Sequence, residues 1–161
     1  MRNEREYTLR DLIELIVALL KNRVLMSGVI AWLIAQVAKA IIYAIVNRQF
    51  DAKRLVGDGG MPSGHSATVS AVATTCALTY GADSGLFAIS MILAVITCHD
   101  AMNSRQEIGK QAALLNEIVR DLMEGESPEA ALEEFVGHTP TQVCVGITLG
   151  ILVGLFFHYA L

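Results

Sequence analysis

The chain has 161 residues, 53% of them hydrophobic and only 17% charged, with a formal net charge of −4 and a mean hydropathy of +0.49. That length favours one domain, 1–161. The composition is too apolar for an ordinary soluble domain, and the acidic balance gives no footing for nucleic acid.

Residues 8–21, TLRDLIELIVALLK, open with Thr8 and Asp11 in a T-x-x-D capping pattern. Leu9, Leu12, Ile13, Ile16, Val17 and Leu20 then recur at helical spacing. This predicts an amphipathic helix lying on the membrane surface or against a bundle. Four apolar runs follow at roughly 24–46, 65–81, 85–103 and 140–161. Each is near the ~20 residues that cross a bilayer as a helix, the second being the shortest. A charged N-terminus followed by a run of full span length argues against a cleavable signal peptide. The expected fold is all-α: an integral membrane helical bundle with about four transmembrane helices, an N-terminal amphipathic helix and a polar amphipathic helical loop.

The first span carries Lys39 deep within it, where a cation is costly without a partner. NRQFDAKRLVGDGGMPS leads into the second span, and a tight turn at YGADSG joins the second to the third. In the polar stretch 104–138, Ile108, Leu115, Ile118, Val119 and Leu122 sketch an amphipathic helix. Ser127 and Pro128 read as an N-cap and first helical position, and Gly137 as a stop. Cys76, Cys98 and Cys144 lie inside apolar runs without paired spacing and read as small packing residues.

Two stretches carry the chemistry: GGMPSGHS (59–66) and GHTPTQ (137–142). With four spans, both are helix starts on the same side of the membrane. Thr139, Pro140 and Gln142 make a second capping box, with Ser63 before the other helix. Each start offers free N–H groups and about half a positive charge, a ready site for an anion, beside His65 or His138. The adjoining loops add Arg48, Lys53 and Arg54, and Arg105 just after Asp100. Arginine binds phosphate in a bidentate manner and lysine as a point charge. Histidine serves as nucleophile or general acid, and a carboxylate can orient it. The set suits phosphate-ester hydrolysis at a membrane surface. The candidate catalytic residues are His65, His138 and Asp100; Lys39, Arg54, Ser63, Gly64 and Arg105 are candidates for holding the phosphate. His99 and His158 lack such a setting.

PSGH (62–65) resembles the second signature of the type 2 phosphatidic acid phosphatase superfamily, which includes vanadium-dependent haloperoxidases. The longer run GGMPSGHSATVSAVATT, followed by DAMNSRQEIGKQAALLNEI and GHTPTQV, more closely resembles the divergent PAP2 branch, the small YuiD-like membrane proteins. The resemblance extends over about residues 25–160. It implies a general-acid role for His65. Ser104-Arg105 matches the opening of the superfamily's third signature, but Gln111 stands at the nucleophilic histidine's position and Leu115 at that of the orienting aspartate. The first signature, a lysine followed seven residues later by Arg-Pro, is absent: Gly60 follows Lys53 at that distance and Val46 follows Lys39.

Glutamine cannot form a phosphohistidine, so another group must attack phosphorus. His138 is the first choice, with Asp100 as its orienter or base. The alternatives are His65, or water on a divalent metal with Asp100 among the ligands, although no spacing points to a metal and no cofactor is expected. A fold that keeps the anion pocket without turnover is a further one. Two readings follow. One is a phosphatase acting on a lipid or isoprenoid phosphate monoester or diphosphate. The other is a non-catalytic protein binding an anionic lipid headgroup; a transporter-like role is a distant third. Four spans are few for enclosing a phosphate pocket, which suggests a homodimer. Five Lys/Arg flank the other side (Arg2, Arg5, Arg10, Lys21, Arg23), against six on the site side (Arg48, Lys53, Arg54, Arg105, Lys110, Arg120). That slight excess favours a cytoplasmic site in the cell membrane.

Overall fold

The computed structural model describes residues 8–49, 60–122, 132 and 137–160, which form six helices and, among the described residues, no strand. Arg54, Ser127 and Pro128 lie outside the described residues.

Helix α1 (Leu9–Lys21) begins as its sequence requires. Thr8 Oγ1 accepts the Asp11 amide at 3.3 Å, and the Asp11 carboxylate accepts the Thr8 amide at 2.8 Å. None of its residues is buried, and among the described helices it contacts α2 (Arg23–Asn47) alone. Asn22 forms the corner, ending α1 and capping α2 through its side-chain oxygen. The apolar face with Leu12, Ile13 and Ile16 stays open, as in a helix resting in a membrane interface.

Helix α3 (Gly64–Tyr80) sits at the centre, packed against α2, α4 (Gly85–Met102) and α6 (Pro140–Tyr159). Small residues put it there. Gly146, Gly150 and Gly154 recur every fourth residue on α6 and form one face. A Cβ on Gly146 would stand 2.5 Å from the Ser63 carbonyl oxygen, one on Gly150 would collide with the Ala67 carbonyl, and one on Gly154 would stand 3.0 Å from the Ala71 carbonyl. The two backbones are therefore in direct contact along three turns. On the α2 side, Ala31 and Ala35 pack into a cluster with Ala67, Ala71, Val153 and Phe157.

Large apolar side chains point outward instead, among them Ile45 and Val46 of α2, Ile92 and Val95 of α4, and Leu152 and Phe156 of α6. Lipid is as apolar as these side chains, so helices associate through close packing of small residues, not through burial of large ones. Arg23–Asn47, Gly85–Leu122 and Pro140–Tyr159 are long and apolar enough to cross a bilayer. The protein is thus an integral membrane helical bundle. Helix α3, the shortest of the four expected crossings, has 17 residues, about 25 Å of helix against a hydrocarbon core of about 30 Å. The Thr68 and Thr75 hydroxyls donate to the Gly64 and Ala71 carbonyls at 2.8 and 2.9 Å, which satisfies polar groups in an interior that lacks water.

Helix α5 (Ser104–Leu122) follows α4 across Asn103 and, among the described helices, packs on α4 alone. Gly109 and Ala112 are buried, whereas Ile108, Leu115 and Ile118 remain open. Cys76 and Cys98 are buried, as small packing residues should be; Cys144 is exposed. The glycine face of α6 meets α3, and Cys144 lies on the opposite side.

Candidate functional site

Ser63 caps α3: its Oγ accepts the Ser66 amide at 3.3 Å and the Ser66 hydroxyl at 3.0 Å. The Ser63 amide donates to the Gln142 carbonyl, in the first turn of α6, at 3.1 Å. The two helix starts are therefore bonded to each other, and Gly146 lets α6 approach closely enough for that bond. The amides of Gly64 and His65, in the first turn of α3, have no intrahelical acceptor, so the positive end of the helix faces this junction.

His138 is held from three sides. Its amide donates to the Ala101 carbonyl near the end of α4 at 2.9 Å, and its carbonyl accepts the Gln106 side-chain amide of α5 at 2.9 Å. Gly137, with φ +97°, brings the chain so near α5 that a Cβ would stand 2.7 Å from the Gln106 nitrogen. The His138 Nδ1 lies 3.3 Å from Gln142 Oε1, which also accepts the Thr139 amide at 3.0 Å. An amide oxygen only accepts, so Nδ1 carries a proton, which in the neutral form of the ring leaves the lone pair on Nε2. The ring is buried, at 2% exposure.

The rings of His65 and His138 stand edge to face, with centroids 5.9 Å apart, so the two histidine-bearing motifs converge at one end of the bundle. Ser63 and Gly64 lie at the same point and are buried. Lys39 comes from α2, is 7% exposed, and passes Gly60, where a Cβ would stand 3.8 Å from its Cδ. Asp100 and Arg105 flank the residues that hold His138 and pair with each other, Nε to Oδ2, at 3.5 Å. Both side chains of that pair reach solvent, so the pairing is weak. The side chain bonded to the His138 Nδ1 is thus Gln142, while Asp100 pairs with Arg105. The His99 Nε2 lies 2.9 Å from the Asn103 side chain, and His158 packs on Tyr159 at the far end of α6. Gln111 and Leu115, at the positions of the resembled third signature, are exposed on α5.

Two glutamines at this end, Gln106 and Gln36, were not singled out from sequence, and Gln142 was read only as the closing residue of a capping box. For Gln142 a signal existed, since it stands four residues after His138, within reach on the first turn. Gln36 of α2 is 6% exposed, and its Oε1 meets no hydrogen-bond partner among the described residues. Also among the described residues, no three His, Cys, Asp or Glu side chains gather closely enough to hold a metal ion.

An apolar groove of about 620 Å³ opens between α3, α4 and α6. Ala73 and Ala77 of α3, Phe87 and Met91 of α4, and Ile147 and Ile151 of α6 line its length, with Ser70, His99 and Met102 towards the histidine end. Along α4 it runs from Phe87 to Met102, about 22 Å of helix. Met102 is next to Ala101, which holds the His138 amide.

Comparison with known proteins gives the family of the chain. The chain is 42% identical over 153 residues to the uncharacterized membrane protein YuiD of Bacillus subtilis (strain 168), covering 88% of this chain and 97% of that protein. No solved structure gives a significant match. The model of the divergent PAP2 family matches residues 20–153, a span that takes in α2 to α4, both helix starts and most of α6. This membrane protein therefore belongs to the divergent PAP2 family.

Proposed function

We propose that the protein is a membrane-embedded phosphatase that hydrolyses a lipid or isoprenoid phosphate monoester or diphosphate. The observation that carries this reading is the approach of the His65 and His138 rings, 5.9 Å apart, at the amino end of α3. The phosphate sits over the Gly64 and His65 amides, with Lys39 as a nearby cation. The hydrocarbon tail lies in the groove between α3, α4 and α6, entered sideways from the bilayer.

In the reaction, His138 Nε2 attacks phosphorus and the P–O bond to the leaving group breaks. His65 gives its proton to the departing oxygen. Water then attacks the phosphohistidine, His65 takes one of its protons, the P–N bond breaks, and phosphate leaves. Gln142 holds the imidazole in the tautomer that the first step needs. The site opens to the cytoplasmic side in this reading, in keeping with the small excess of Lys/Arg there.

A second reading rests on Gln111, which stands where the wider superfamily has its nucleophile. In that reading the protein binds an anionic headgroup without turning it over. Phosphate release by purified protein from short-chain phosphatidate or a prenyl phosphate separates the two. His65→Ala is expected to lower kcat/KM by about 10²–10⁴-fold with an almost unchanged unfolding midpoint. His138→Gln is expected to remove an alkali-stable, acid-labile phosphoenzyme. Full activity of His65→Ala would refute its role as acid, and an intermediate that survives His138→Gln would exclude His138 as the attacking group.

A further inference from the structure

Gln36 and Lys39 are three residues apart on α2 and share a helix face. Both are more than nine-tenths buried. Lys39 reaches past Gly60, and Gln36 faces the first residue of α3: a Cβ on Gly64 would stand 3.8 Å from Gln36 Oε1 and 3.4 Å from Trp32 Cδ1. Glycine at position 64 therefore keeps the space between this amide and the helix start clear of side chain.

The Gln36 oxygen has no hydrogen-bond partner among the described residues. A buried polar atom without a partner is destabilising, and native proteins hold few of them. Methionine or leucine would fill the same volume on a spanning helix without that penalty. A glutamine here is accounted for by a molecule that supplies the missing bond. The unpaired amide and the positive end of α3 face the same space, so one ligand can meet both.

We propose that Gln36 is a direct contact of the phosphoryl group, a role that rests on the reading of the site given above. A carboxamide offers an acceptor and two donors. Its NH₂ donates to a phosphoryl oxygen, or its oxygen accepts from the hydroxyl of a singly protonated phosphate. The Gly64 and His65 amides approach the same group from the helix, and Lys39 adds a positive charge. Gln36 thus reads the phosphoryl oxygens by hydrogen bonding, in a pocket where charge alone does not distinguish one anion from another.

The test uses the full chain purified in detergent, with inorganic phosphate and orthovanadate as probes, and reads thermal unfolding and binding. Wild-type protein is expected to be stabilised by both anions. Gln36→Met is expected to raise the unfolding midpoint of the anion-free protein, because the unpaired atom is gone. The same change is expected to weaken anion binding about tenfold or more, the worth of one hydrogen bond to a charged group. Gln36→Glu keeps the size and places a negative charge beside the anion, so it is expected to abolish binding near neutral pH, whether or not Gln36→Met folds well. If either variant binds vanadate as tightly as wild type, the inference about Gln36 is overturned while the site stands. If wild-type protein binds neither anion, the reading of the whole site falls, and Gln36 with it.

Discussion

Helices α1 and α3 distribute their residues in opposite ways. α1 is rich in Leu, Ile and Val, and none of its residues is buried. α3 is built largely of Ala, Ser, Thr and Gly, and about half of it is buried, including Ala67, Ala71 and Thr75. In water the ranking would be reversed, because large apolar side chains gain most from leaving the solvent. Around this bundle the solvent is hydrocarbon. Large apolar residues mark the surface that meets lipid, and small ones mark the surface that meets another helix. The candidate site follows the second pattern: it lies at the end of the seam where the glycines of α6 let two backbones touch.

The strongest way to break this contrast is to put bulk into the seam. Gly150→Val drives its side chain into the Ala67 carbonyl and within 2.9 Å of the Ala71 nitrogen, and backbone cannot swing aside as a flexible side chain can. The expected loss is about 1–3 kcal/mol or more, read as a lower unfolding midpoint in detergent; an unchanged midpoint would mean that α3 and α6 do not meet as described. Ser63→Ala is expected to cost about 0.5–2 kcal/mol through loss of the cap. It also leaves the Ser66 hydroxyl without its acceptor and should loosen the link between the two helix starts, which amide exchange at Ser63 and Ser66 would report.

On the other side of the comparison, Ile16→Ala changes an exposed residue of α1. The folded bundle should lose no more than about 0.5 kcal/mol, while a peptide of residues 8–21 carrying the change should bind lipid vesicles more weakly. A loss of bundle stability comparable to that of Gly150→Val would show that α1 packs as a core helix.

The smallest effect concerns acid. The hydrogen bonds from the Thr8 side chain and then its backbone hold the Asp11 carboxyl below its ordinary value of 3.8. A lowered folded value means that the capping box stabilises α1 fully above that ordinary value and loses its effect as pH falls through the lowered one. Helicity of the 8–21 peptide should therefore be flat with pH above about 4 and decline below it. Thr8→Ala should raise the Asp11 pKa and weaken that pH dependence, and an identical titration in the variant would remove Thr8 as the cause.

Much of the helical layout was legible in the order of residues. The apolar runs at 24–46, 65–81, 85–103 and 140–161 became helices within two residues at every end, and the boxes at Thr8–Asp11 and Thr139–Gln142 formed as written. Cap and hydropathy signals act over a few neighbouring residues, so they can be read along a line. The convergence of His65 and His138 was legible as well, since two helix starts separated by an even number of crossings share a side. What lies around the rings was less so. A carboxylate, Asp100, was the natural choice to orient His138, but the bond to Nδ1 comes from Gln142, because the first turn of α6 folds its own capping glutamine back under the ring.

By itself, then, the order of residues determined that this is a membrane bundle, where its helices start and stop, and that two histidines meet at one end. Only the tertiary structure decided that α3, the shortest and least apolar of the four expected crossings, would be the central helix, and that Gln36 would face the start of α3 with its oxygen unpaired. Those outcomes depend on which pairs of small faces allow two backbones to touch. That is a property of surfaces on residues far apart in the chain, and no single helix carries it.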